Sequence, residues 1–311
     1  MRVAITGASS MLGFNLARTL LLERRWEVKG LTRDPRAPAI AYLRSLPGFG
    51  LQTGEVTECS SVDELLEGVR VVFHLAALSS ERLCRTRPET AFAVNAGATA
   101  LIAERAGKKG IRMVFSSSCA VYADSFYPDE DSPLTRNKLY GLTKAAGESA
   151  MAIIGQQHNL KYTIVRFARL FGAGMTRNPV HDLLKAKTSG KATLYEGLDS
   201  CYDFLYAGDA AELLAEAAVD EKWRGITANA GTGIGILLKE LVEKVEHHLG
   251  REIEVSVAQK RSHFDVPRVE RMKALGFSPR YTMESALADM DEVAEDARLG
   301  NPHGKTFAHE H

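Results

Sequence analysis

Lys144 follows Tyr140 by four positions in Tyr140-Gly141-Leu142-Thr143-Lys144, and of nine tyrosines only this one has a lysine at that spacing. On a helix, four residues is a little more than one turn, which stacks the phenol and the ammonium on one face. A free phenol ionises near a pKa of about 10. A neighbouring ammonium favours the phenolate, and a second bound cation would favour it further, bringing proton transfer toward neutral pH. A run of hydroxyls, Ser116-Ser117-Ser118, lies upstream and could hydrogen-bond the same oxygen. The plainer alternative is a half-buried helix tyrosine with a solvated lysine, and serines that only cap a turn.

The elements that must position these groups alternate between two periodicities. Val3-Ala4-Ile5-Thr6 is a short apolar run, followed by Gly7-Ala8-Ser9-Ser10-Met11-Leu12-Gly13 and then Leu16, Leu20 and Leu21 at helical spacing. This predicts strand, tight turn, helix. Further strands are expected over Val28 to Leu31, Val69 to Leu75, Arg112 to Phe115 and Tyr162 to Arg166, with helices over Ser61 to Leu66, Ala91 to Lys108 and Tyr140 to Ile154. Alternation of this kind implies parallel strands joined by right-handed crossovers, an α/β doubly wound parallel sheet of the Rossmann type.

Beyond Phe171-Gly172-Ala173-Gly174 the pattern shortens, with helices expected over Asp182 to Thr188, Leu237 to Leu249 and Met283 to Ala297. We expect a dinucleotide-binding domain of residues 1–171 plus about 202–232, a smaller C-terminal substrate lobe of 172–201 and 233–298, and a loose tail of 299–311. The tail histidines, His303, His309 and His311, are not expected to form a metal site. Ligands of such sheets sit at the carboxyl ends of the strands, so the cleft between the lobes is the expected site.

Gly7 and Gly13 fit a dinucleotide turn, in which a missing Cβ lets backbone approach a pyrophosphate at a helix N-terminus. Ser10 stands at the middle glycine position, where its hydroxyl could donate to phosphate; an ordinary strand-to-helix turn is the alternative. The second strand ends Leu31-Thr32-Arg33-Asp34. A carboxylate there would take the ribose hydroxyls of NAD, whereas an arginine suits a 2′-phosphate. Thr32 occupies the acidic position and Arg33 can fork onto phosphate, which favours NADP(H) over NAD(H). The alternative assigns Arg33 to solvent and the ribose to Asp34.

Thirty-nine basic residues balance thirty-nine acidic ones, leaving no net positive field for nucleic acid. No apolar run approaches a membrane span. Cys59, Cys84, Cys119 and Cys201 show no ligand spacing and read as reduced thiols of a cytoplasmic protein.

In order and spacing, the chain from residue 1 to about 295 resembles the extended short-chain dehydrogenase/reductase family, in its nucleotide-sugar epimerase and reductase branch. The residues that carry the likeness are the glycine loop, Glu55-Val56, His74-Leu75-Ala76-Ala77, Asn95 to Thr99, Ser116 to Ser118 with Val121-Tyr122, Tyr140 with Lys144, and Arg166 to Gly172. Asp203-Phe204-Leu205-Tyr206, Asn229 to Gly233 and Asp265 with Leu275 to Pro279 extend it. The resemblance implies hydride transfer at a sugar carbon. Tyr140 would be the acid or base, Lys144 would hold the nicotinamide ribose, Ser118 would bond the reacting oxygen and Asn95 would order the catalytic face. Ser9, Ser10, Met11 and Leu12 would line the cofactor loop, Glu55 and Val56 would lie near adenine, and Leu75, Ala76 and Ala77 would pass under the cofactor; Ser79 would face substrate.

The departures are informative. Ser118-Cys119-Ala120 stands where the family's dehydratases have Thr-Asp-Glu, and Ala120 can be neither acid nor base. Arg169 replaces an asparagine that contacts the nucleotide diphosphate, and Tyr202 replaces an arginine; Arg261, beside Lys260, is a candidate for substrate phosphate. The leading expectation is a nucleotide-sugar epimerase. An NADPH-dependent ketoreductase and a non-catalytic NADP(H)-sensing protein are the other two readings. Apolar residues on several sides of the helices Ala91 to Lys108 and Tyr140 to Ile154 suggest, by the same resemblance, a homodimer.

Overall fold

A computed structural model describes residues 1–123 and 126–299. Strand β1 (Arg2–Thr6) leads into helix α1 (Met11–Leu22), β2 (Glu27–Thr32) into α2 (Pro38–Ser45), and β3 (Phe49–Thr53) into α3 (Cys59–Leu65). After β4 (Val71–His74) come α4 (Glu81–Thr86), α5 (Pro88–Phe92), a π-helical turn at Ala93–Gly97 and α6 (Ala98–Lys109), then β5 (Arg112–Ser118), α7 (Leu139–His158) and β6 (Tyr162–Phe167). The remainder supplies β7 (Arg169–Phe171), α8 (Pro179–Leu184), α9 (Ala186–Ser189), β8 (Lys191–Leu194), β9 (Cys201–Tyr202), β10 (Phe204–Tyr206), α10 (Ala207–Val219) and β11 (Ile226–Ala230). It ends with β12 (Ile236–Leu237), α11 (Leu238–Leu249), β13 (Glu254–Val257), β14 (Phe264–Asp265), α12 (Glu270–Ala274) and α13 (Met283–Leu299).

Seven strands form one sheet in the order β11-β6-β5-β4-β1-β2-β3, every pair parallel. This is the doubly wound sheet expected from the alternation of periods. Its inner strands are apolar on both faces because both are covered. Val3, Ile5, Phe73 and Val114 face α1 and α10, where Leu16, Leu20, Leu213 and Leu214 are buried. Ala4, Val72, Met113 and Phe115 face the other way, against Ile102 of α6 and Met151 of α7. Each fully buried side chain of this size stabilises the fold by roughly 1.5–3 kcal/mol. A third core, with Phe171, Leu183, Leu194, Tyr202, Leu241 and Leu287, holds the C-terminal segments.

The strand order reverses between β1 and β4, which opens a crevice beyond their carboxyl ends. Three local features escape the periodicity. β3 and α2 were not expected, because Phe49-Gly50-Leu51-Gln52-Thr53 is an edge strand with Gly50 inside it and Gly48 before it, and its buried Gln52 is satisfied by the Ser61 carbonyl at 2.8 Å. The helix expected over Asp182 to Thr188 is two short ones, α8 and α9. The helix expected over Ala91 to Lys108 is interrupted by the π turn, whose centre is the buried Asn95. Among the described residues no helix is long and apolar enough to cross a membrane, and the tail from residue 300 on, with its histidines, lies outside them.

Candidate active site

The crevice is part of a cleft of about 1750 Å³ that runs from Gly7 and Arg33 at one end, past Ser118, Tyr140 and Lys144, to Arg169, Tyr195, Glu196 and Asp265 at the other. Such a volume exceeds the ~300–1,000 Å³ of a pocket for one small ligand.

At the first end the turn between β1 and α1 is held by backbone contact. Gly7 has φ +69°, a left-handed conformation, and a Cβ there would lie 3.0 Å from Cα of Ala76. A Cβ on Gly13 would lie 2.2 Å from the Gly7 carbonyl oxygen. Gly13 therefore lets α1 close onto the turn, and unlike Gly7 it does not line the cleft. Ser10 caps α1 by accepting from Gly13 N at 3.1 Å, which places its oxygen toward the helix and away from a purely phosphate-facing role. Ser9, Ser10, Met11 and Leu12 line the cleft, and the first-turn amides of a twelve-residue helix suit an anion there.

The end of β2 closes this half of the cleft. Thr32 is buried, donates to Ser9 Oγ at 2.9 Å and accepts from Asp34 N at 3.2 Å. Asp34 turns Oδ1 to the amide of Arg36 at 2.9 Å, while Arg33 is exposed and lines the cleft. Glu55, Val56, Leu75, Ala76 and Ala77 line the same half. The cradle around Gly7 and the first turn of α1 fits a dinucleotide, and a nicotinamide held there would supply a hydride acceptor and donor.

The catalytic candidates come from two elements brought close by a third glycine. A Cβ on Gly141 would stand 2.0 Å from the Ala120 carbonyl oxygen, so α7 packs directly on the chain leaving β5. Ser118, the last residue of β5, thus reaches the Tyr140 phenol as a hydrogen-bond partner, and its Oγ also accepts from Ala120 N at 3.2 Å. Burial pushes the Tyr140 phenol up to about 12, with the Ser118 hydrogen bond offsetting part of the rise. The four-residue spacing predicts that Lys144 favours the phenolate; in the protein without a dinucleotide, burial sets the direction and raises the phenol. Lys144 is itself only 1% exposed, and burial draws it down to about 7 against the opposing pull of Glu148.

The Lys144 ammonium lies 4.0 Å from the centre of the Phe115 ring and lines the cleft; among the described residues it makes no hydrogen bond or ion pair. A buried, unpartnered donor aimed into the cradle fits a ribose hydroxyl. Asn95 does not line the cleft and acts from behind it. Its Oδ1 accepts from Leu78 N at 2.8 Å and its Nδ2 donates to Thr143 Oγ1 at 2.9 Å, which in turn donates to the Tyr140 carbonyl at 2.8 Å. It holds the helix carrying Tyr140 without touching the reacting groups.

Beneath the site, Glu148, one turn beyond Lys144, accepts from Arg166 Nη2 at 2.7 Å and from Ser117. Arg166 also donates to Tyr122 Oη at 2.9 Å, and Tyr122 to Asn229 at 2.5 Å. This buried network ties β5, α7, β6 and β11 together directly below Ser118.

At the far end Ser79 and Arg169 line the cleft as expected. Tyr202 does not; it is buried behind Arg169, whose guanidinium lies 3.7 Å from its ring centre, and its hydroxyl is engaged by Glu196. Arg261 is exposed and outside the cleft, since the loop bearing it turns its carbonyl to Gly197 and its side chain to solvent. Arg177, Glu196 and Asp182 line this end and were not anticipated, because they carry no motif and reach the cleft through loop geometry alone. Asp265 was read only as part of the resemblance. Burial raises its pKa, with Arg169 and Lys138 opposing the rise. Among the described residues no group of three or more His, Cys, Asp or Glu could hold a metal ion.

The chain is 26% identical over 263 residues to the UDP-glucose 4-epimerase of Rhizobium meliloti, covering 75% of this chain and 80% of that one. It is 25% identical over 309 residues to the UDP-glucose 4-epimerase of Mycolicibacterium smegmatis, covering 93% and 96%. The fold matches the crystal structure of UDP-glucuronic acid 4-epimerase from Bacillus cereus in complex with UDP-glucuronic acid and NAD, with a TM-score of 0.85, 20% identity and coverage of 94% and 98%. Residues 3–231, which carry the glycine turn, Ser118, Tyr140 and Lys144, match the NAD dependent epimerase/dehydratase family, and the chain belongs to that family.

Proposed function

We propose that the protein is an epimerase of a nucleotide-linked sugar, acting by transient hydride removal at a sugar carbon. The observation that carries this is the convergence of Tyr140, Ser118 and Lys144 midway along one continuous cleft, between a dinucleotide cradle and a second end rich in charge. Tyr140 takes the proton of the sugar hydroxyl and later returns it, Ser118 holds the same oxygen, and Lys144 fixes the ribose next to it. Ala120 offers neither acid nor base beside them, which supports epimerisation over loss of water or carbon dioxide.

The cofactor is a nicotinamide dinucleotide, and we assign NADP(H) in preference to NAD(H). Thr32 is engaged with Ser9, and Arg33 and Asp34 are both exposed at the end of β2 and line the cleft; Asp34 already turns Oδ1 to the Arg36 amide, and Arg33 is the cation there that suits a 2′-phosphate. Two copies are proposed to associate through α6 and α7. Leu142 and Ile153 of α7 are exposed, and Ala146 and Ser149 continue that stripe with small side chains. A sedimentation mass near the 34.0 kDa of one chain would refute the dimer.

A second reading, an NADPH-dependent ketoreductase, is favoured by one feature: Glu196 and Asp265 line the same end of the cleft as Arg169, and their carboxylates would oppose a diphosphate there. The test is to incubate the purified protein with UDP-, dTDP-, GDP- and CDP-hexoses and separate the products chromatographically. Interconversion that disappears in Tyr140→Phe supports the epimerase. Its absence with every donor sinks it, and stoichiometric oxidation of NADPH by a keto substrate establishes the reductase instead.

A further inference from the structure

Helix α7 begins without a side-chain cap from its own N-cap residue, because Lys138 carries only donors and cannot accept from the helix amides. The first amides of a helix lack partners within it. Here they find one from elsewhere in the chain. Glu81, the first residue of α4, accepts from Leu139 N through Oε1 at 3.0 Å and from Tyr140 N through Oε2 at 2.8 Å. Arg85, one turn further along α4, donates to Glu81 Oε1 at 2.6 Å and to the Asn137 carbonyl at 2.7 Å.

We propose that Glu81 is a positioning residue for Tyr140, holding the phenol at its working depth through the amide of Tyr140 itself. Both backbone polar groups of Tyr140 are thereby gripped by side chains, its N–H by Glu81 and its C=O by Thr143. The carboxylate also places negative charge at the positive end of a twenty-residue helix. Burial alone would raise its pKa, but the Tyr140 and Leu139 amides and Arg85 outweigh that and hold it below the usual carboxylate range.

Glu81 lines the cleft, and Ser80 beside it accepts from Arg177 at 3.2 Å, so the start of α4 joins the catalytic helix to the far end of the site. The side chain at Tyr140 leans toward the N-terminus of its helix, into the turn that Glu81 fixes. Loosening that turn displaces the phenol from the oxygen it must serve, and misplacement by about 1 Å is enough to slow a reaction about 100-fold.

This inference rests on the epimerase reading for its kinetic arm only. The experiment compares wild type with Glu81→Ala and Glu81→Gln, the latter keeping one acceptor oxygen and the side-chain shape. Hydrogen exchange at Leu139 and Tyr140 is expected to accelerate about tenfold in the alanine variant and less in the glutamine one. The Tyr140 phenol, titrated by ultraviolet difference against Tyr140→Phe, is expected to fall from about 12 toward its ordinary value as the site loosens. With an active sugar nucleotide, kcat is expected to fall about 10- to 100-fold while cofactor affinity and KM change less than about twofold. Unchanged exchange, an unmoved phenol titration, or kcat falling only in step with cofactor affinity each overturns the proposal. A wild type that turns over no sugar nucleotide refutes the epimerase instead, and exchange and phenol titration still decide the role of Glu81.

Discussion

Thr6 donates a hydrogen bond to Nδ1 of the fully buried His74 at 2.8 Å. The direction follows from counting hydrogens. Thr99 Oγ1 spends its proton on the Asn95 carbonyl at 2.8 Å, so it accepts from His74 Nε2 at 3.0 Å, which leaves Nδ1 as the acceptor. Thr6 Oγ1 also receives the amides of Leu75 and Ala76, both at 3.1 Å. The last residues of β1 and β4 are thus locked together beneath the cofactor turn by a neutral imidazole.

That neutrality predicts acid sensitivity. Burial, assisted by the charge on Lys144, lowers the His74 pKa from 6.5 to about 3. As pH falls the unfolded chain therefore takes up this proton first, so the contribution of His74 is complete above about 6.5 and is lost progressively toward about 3. Each pH unit inside that window removes about 1.4 kcal/mol. Thermal midpoints measured from pH 7 to 4 should fall more steeply for wild type than for His74→Gln; parallel slopes would refute the assignment.

Lys144 predicts a gain in stability bought with function. Its folded pKa of about 7 lies below the ordinary 10.5, so the buried cation destabilises the fold fully below about 7, and the penalty disappears as pH rises toward 10.5. Lys144→Met should raise the thermal midpoint at pH 6 by about 2–4 °C, with the advantage shrinking at pH 9, while turnover is lost. Calorimetry at the two pH values checks it, and a variant less stable than wild type at pH 6 contradicts it.

Gly141→Ala drives a methyl group against the Ala120 carbonyl, a backbone atom that cannot rotate away. Denaturant titration should show a loss of about 1–3 kcal/mol. Because the contact sets the distance between α7 and the end of β5, turnover should suffer more than cofactor binding, as isothermal titration would show.

For the cofactor, Arg33→Ala should weaken NADP(H) binding about tenfold or more and leave NAD(H) nearly unchanged, as expected for one charged hydrogen-bond donor to a 2′-phosphate. Fluorescence titration with both nucleotides measures it. Equal losses for the two would return the ribose to Asp34.

The sheet and the Tyr140–Lys144 helix were legible because they rest on periodicity and on a spacing within one helix. β3 was hidden by its edge position and glycines, which remove the alternation that marks a strand. In the site, the signals the sequence offers are local: the glycine turn, the serine run, the end of β2. What they leave out is held across the chain. Nothing near Glu81 signals that its carboxylate caps a helix beginning at Leu139, and nothing near Tyr202 signals that its ring lies behind Arg169 and out of the cleft. Spacing likewise gives the nearness of Lys144 to the phenol, but not the depth of burial that raises the phenol in the protein alone.

The π turn at Ala93–Gly97 carries one residue more than an α-helical turn would. From it Asn95 grips Leu78 and Thr143, while Thr99, just beyond, grips His74. Removing a single residue here would rewind the segment and swing one side of it by roughly 100° against the other, so that the grips of Asn95 and that of Thr99 could not all survive. A one-residue deletion at this point is consequently more damaging than any replacement of Asn95 itself, and related chains should match it in length here even where they differ in composition.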